Sequence, residues 1–77
     1  MKPFTAKTLL KKYLTEQRLM RSDTKLTGKI TGPFMGSLVL ITVSIQGYIH
    51  PMHYQDIFNF ASNNGFCVEI VEEETIE

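Results

Sequence analysis

The sequence predicts an α+β domain of order α-β-β-α-β: a three-stranded, mostly antiparallel sheet with both helices on one face. Three features carry that reading. An apolar helical period runs near the N-terminus, three segments alternate with period two, and a segment opened by Pro51 and closed by Asn64-Gly65 separates the last two of those. The 77 residues leave room for one core and no second domain. Residues 1–71 are expected to form it, with 72–77 an acidic tail too charged to pack.

Helix 1 is expected from about Ala6 to Arg21, with Thr5 as its N-cap. At 100° per residue, Leu9, Met20, Tyr13, Ala6, Gln17, Leu10 and Leu14 fall within one arc of roughly 140°. Lys7, Lys11 and Arg18 gather on the adjacent face, and Lys12 lies further round. Lysines in the first turns oppose the helix dipole, so local helix stability does not explain them.

Ser22-Asp23-Thr24 reads as a turn. Strand 1, Lys25 to Thr31, places Leu26, Gly28 and Ile30 inward and Lys25, Thr27, Lys29 and Thr31 outward. Gly28 signals a bulge or the close approach of another element. After the loop Gly32-Pro33-Phe34-Met35-Gly36, strand 2 runs from Ser37 to Gln46 with Val39, Ile41, Val43 and Ile45 inward. The pair forms an antiparallel hairpin. Helix 2 extends from Pro51 to about Asn63, its stripe made by Tyr54, Ile57, Phe58 and Ala61 with Phe60 flanking. Strand 3 follows from Phe66 to Val71, with Phe66, Val68 and Ile70 inward. The strand order 3-1-2 is favoured, which sets Lys29 and Glu69 on the same open face.

Charge is the most informative feature for function. All eight basic residues lie in positions 1–30, against Glu16 and Asp23, a net of +6. Residues 31–77 carry six acids and no Lys or Arg, a net of −6. Such asymmetry marks an interaction surface unless folding brings the halves together. The candidate partner-binding residues are Lys7, Lys11, Lys12, Arg18, Arg21, Lys25 and Lys29. They would meet an acidic macromolecule, with an acidic protein surface favoured over nucleic acid, and the alternative from another class is a self-assembling structural protein whose charged halves pair between subunits. The Phe34-Met35 loop tip is a candidate apolar anchor. Leu38, Leu40, Cys67 and Val71 on the open sheet face form a candidate homodimer patch.

Chemistry is weakly represented. His50, His53 and Asp56 lie three residues apart, but zinc needs three or four aligned ligands and Asp56 is out of phase with both histidines. Cys67 cannot form an internal disulfide, and within an apolar strand it behaves as a small hydrophobe. No phosphate-loop pattern joins a strand to a helix. The expectation is a non-enzymatic binding or regulatory module without metal or cofactor. The longest nearly apolar run, Leu38 to Ile45, is far short of the roughly 20 residues that cross a bilayer, and early lysines break any leader core. A cytoplasmic, reduced location is expected, and the size would suit a small regulator of phage or mobile-element type.

Overall fold

A computed structural model describes the backbone of residues 2–34 and 38–71 and the side chains of residues 2–30 and 40–71. The elements are α1 (Pro3–Glu16), β1 (Lys25–Phe34), β2 (Leu38–Gln46), a 3-10 turn (Pro51–His53), α2 (Tyr54–Asn63) and β3 (Cys67–Val71). This is the expected α-β-β-α-β order. β1 and β2 pair antiparallel, and β2 and β3 pair parallel.

Helix α1 begins earlier than the sequence suggested. Lys2 occupies the N-cap and Pro3 the first helical position, where its missing N–H costs nothing, so Thr5 lies exposed inside the helix rather than capping it. Ala6, Leu10 and Leu14 form the fully buried stripe. The helix also ends five residues early. Arg18 adopts φ 60°, its N–H donates to Thr15 O at 3.1 Å, and the Leu19 N–H donates to Leu14 O at 2.8 Å. Those two bonds make a Schellman motif with Arg18 in the left-handed position. The physical reason lies in Leu19: on a continued helix it would point roughly opposite the Ala6–Leu10–Leu14 stripe. Breaking the helix instead lets Leu19 and Met20 pack against the core.

A β-carbon at φ 60° carries a steric cost that glycine avoids. Arg18→Gly is therefore expected to raise stability by roughly 0.5–1 kcal/mol, read as a higher urea midpoint. An unchanged or lower midpoint would contradict the left-handed assignment.

The chain then turns into β1 through a small hydrogen-bonded ring. Thr24 N–H donates to Arg21 O at 3.0 Å, and Arg21 N–H donates to Thr24 Oγ1 at 3.0 Å. In β1 the expected alternation holds at Leu26, which is buried, while Ile30 on the same face is 58% exposed. Gly28 sits directly beneath the start of α1. A β-carbon there would lie 2.8 Å from the Pro3 carbonyl oxygen, so the glycine records a close approach. β1 runs on past Thr31 to Phe34. Its pairing shifts by one residue between Thr31↔Leu40 and Phe34↔Leu38, where Gly32-Pro33 is accommodated and Pro33 has no N–H for the ladder.

The strand order is β1-β2-β3, not 3-1-2. β2 carries more apolar residues than either other strand and takes the centre, paired with β1 on one side and with β3 from Thr42 onward on the other, and its Val43 and Ile45 are fully buried. The lysine-bearing β1 is left at an edge, a position that tolerates and often uses lysine. Lys29 and Glu69 nevertheless share the open face, facing each other across β2 at 3.3 Å.

On the other face, α1 covers β1 and β2, and α2 lies against β3. Ile57 and Ala61 of α2 are buried beside Ile49 and Phe66. Phe58, expected in the stripe, and Phe60, expected at its flank, exchange places. Phe60 stacks on Tyr13 of α1, with ring centroids 4.3 Å apart, whereas Phe58 is 40% exposed. Meeting α1 requires the side of α2 that carries Phe60, so the inter-helix contact overrides the stripe drawn for α2 alone. Gly65 closes α2 at φ 84°, with Phe66 N–H donating to Ala61 O at 3.0 Å, the glycine-capped counterpart of the Arg18 end.

Candidate functional site

The basic residues do not all share one helical face, because α1 ends before Arg18. Lys7 and Lys11 remain one turn apart on the same side of α1. Lys7 is half-buried and lines a shallow groove of about 280 Å³ with Pro3, Phe4, Leu26, Thr27 and Gly28. That side of α1 therefore overhangs the outer edge of β1. Lys12 faces the other way, lining a groove of about 210 Å³ with Tyr13, Phe60 and Asn64. Arg18 lies past the helix end in the left-handed position, and Arg21 lies 3.8 Å from Asp23 in the turn before β1.

Lys25 and Lys29 project from β1 onto the open face of the sheet. Lys29 donates to Glu69 Oε1, and so does the Ser44 hydroxyl, at 3.0 Å. These two hydrogen bonds, Ser44 first and Lys29 next, hold the Glu69 carboxyl below the ordinary glutamate range. The bridge is the one ion pair among the described residues that joins the basic and acidic halves. Lys2, Lys7, Lys11, Lys12, Arg18 and Lys25 have no carboxylate partner among those residues. Folding therefore leaves most of the positive segment unneutralised within the described chain.

The candidate dimer residues separate along the sheet. Cys67 pairs with Thr42 and Val71 with Gln46, so Val71 lies four residues along from Cys67, roughly 13 Å away, with the Lys29–Ser44–Glu69 bridge between the two ends. Leu40 (37% exposed) sits at the Cys67 end and Val71 (38% exposed) at the other. The side chains of Phe34 and Leu38, and the whole of Met35, lie outside the described residues.

His50 has a structural task. Its Nδ1 accepts the Met52 N–H at 3.1 Å and caps the 3-10 turn that opens with Pro51. Its ring lies 6.5 Å from that of His53. No group of three His, Cys, Asp or Glu among the described residues is arranged to hold a metal ion. Burial, with Asp56 adding to it, raises the Tyr13 phenol above its ordinary value, in keeping with an aromatic whose role is packing on Phe60.

Two features escaped the sequence. The larger is an open cleft of about 680 Å³ lined by Leu40, Ile41, Phe58, Ala61, Gly65 and Cys67, among others. It arises because β3 begins only opposite Thr42, leaving the first part of β2 unflanked on that side. Its sequence signal is the mismatch in length between the segment read as strand 2, Ser37 to Gln46, and that read as strand 3, Phe66 to Val71. The second is the outer edge of β1, which an order with strand 1 in the centre conceals. No described helix is long and apolar enough to cross a membrane. Comparison with protein-family models, characterised proteins and solved structures found no match.

Proposed function

We propose that the chain is a non-enzymatic binding or regulatory module that docks an acidic macromolecule, with an acidic protein surface as the favoured partner. The observation that carries this reading is the run of lysines at the α1–β1 edge, Lys7, Lys11 and Lys25, left without carboxylate partners among the described residues. Clustered unpaired cations raise the encounter rate with an anionic surface and suppress cationic partners. Nucleic acid is the runner-up, because phosphate contacts need little beyond charge.

The test is a triple reversal, Lys7→Glu, Lys11→Glu and Lys25→Glu, assayed against poly-L-glutamate and a single-stranded oligonucleotide. The wild type is expected to bind the polypeptide more tightly. The variant should lose that binding while unfolding within about 1 kcal/mol of the wild type, since Lys11 and Lys25 are exposed and the half-buried Lys7 makes no ion pair among the described residues. Undiminished binding by the folded variant would overturn the assignment.

A second reading, self-assembly through the open sheet face, rests on the exposure of Leu40, Cys67 and Val71. Sedimentation of the wild type and Leu40→Glu tests it. Association that the substitution abolishes supports the homodimer, and a monomeric wild type at tens of micromolar removes it.

A further inference from the structure

We infer that the acidic partner is taken up as an extended strand added to the outer edge of β1, with acidic and apolar side chains alternating along it. The inference rests on the acid-binding reading above and gives its partner a shape. β1 lies at the sheet edge, so among the described residues its outer backbone N–H and C=O groups have no strand partner. An exposed edge of this kind is a template for strand addition, in which main-chain hydrogen bonds supply affinity and alternate side chains supply selectivity.

The two sides of that edge differ chemically. On the open side, Lys25 and Lys29 flank Thr27, and an added strand would place every second side chain against this row. Lys25 has no carboxylate partner among the described residues, and Lys29 is held by Glu69 alone. Carboxylates are therefore the fitting side chains on that side. On the helix side, Ile30 is 58% exposed and Phe4 is 76% exposed. Between them Gly28 presents no side chain, and the groove formed by Pro3, Phe4, Lys7 and Leu26 stays open. Apolar side chains fit there, in the groove that Lys7 also lines.

Charge complementarity also selects the occupant. Lysines on an edge strand discourage indiscriminate pairing with neutral or basic strands, and the same lysines admit an acidic one. The N–H groups at the start of α1, which receive no side-chain cap from Lys2, add positive potential at this end, with no acidic residue in the first turn to offset it.

The probe is a labelled eight-residue peptide of alternating Glu and Val, measured against the full chain by fluorescence anisotropy and by amide hydrogen exchange. A permuted peptide of the same composition, with its four Glu in one block, and a backbone N-methylated version of the alternating peptide serve as comparisons. Strand addition predicts that N-methylation and loss of alternation each weaken binding by at least about tenfold, and that outward β1 amides gain protection. Equal binding of all three peptides, abolished by Lys7→Glu with Lys25→Glu, would overturn strand addition and leave the acid-binding face standing. Failure of both the peptides and poly-L-glutamate to bind would remove both readings. Protection appearing at β3 instead of β1 would also overturn the proposal.

Discussion

Leu10→Ala is expected to bring the domain close to its unfolding midpoint at room temperature, with a substantial unfolded fraction. Leu10 is fully buried at the centre of the α1 stripe, between Ala6 and Leu14, and belongs to the core formed with Val43, Ile45 and Ile57. Truncation removes its transfer energy and leaves a cavity that a small core cannot fill, a loss of about 2–5 kcal/mol. A domain of this length gains only about 3–5 kcal/mol net from its core, so the substitution consumes most of the margin. Urea titration by far-ultraviolet circular dichroism reads the outcome. Leu9→Ala, at a half-buried position on the same helix, should cost distinctly less. Equal effects at the two sites would contradict the observed rotation of α1.

Gly28→Val should destabilise by about 1–3 kcal/mol, although strand propensity alone predicts a gain at this position. The reversal comes from one contact. The first added carbon would meet the Pro3 carbonyl oxygen at 2.8 Å and the Pro3 Cβ at 3.2 Å, and the oxygen belongs to backbone that no rotamer change can clear. α1 must lift away from β1, taking Phe4 and Lys7 with it. A variant as stable as the wild type, or more so, would place the start of α1 elsewhere and remove the groove at the β1 edge.

Local signals in the sequence proved reliable where one residue type carries the geometry. Asn64-Gly65 marked the end of α2 because glycine tolerates φ 84°, and Gly28 marked a close approach because only a missing side chain permits it. Alternation located all three strands, since one buried face requires period two. The end of α1 was illegible for the complementary reason: arginine rather than glycine occupies the left-handed position. The benefit that offsets its strain, packing of Leu19 and Met20, is tertiary. Strand order was equally hidden. Both orders bury the same faces, and the choice turns on which edges are covered, a property of the assembled sheet.

The candidate site inherits both misreadings. Arg18 left the helical face once α1 ended at Glu16, and the β1 edge emerged once β2 took the centre. Lys7 and Lys11 kept their shared side because they lie within the part of the helix that did form. What sequence alone conveyed was the sign and placement of the charge; what it lacked was the edge that gives the charge a shape.

The central claim, that lysines at the α1–β1 edge without carboxylate partners among the described residues form an acid-binding surface, is tested most directly by residue-resolved amide titration with poly-L-glutamate at two salt concentrations. The predicted result is a contiguous set of shifts at Phe4, Lys7, Lys11, Lys25 and Thr27, shrinking at the higher salt as screening grows. Shifts confined to the cleft between Leu40 and Phe58, or no shifts at the lower salt, would contradict it.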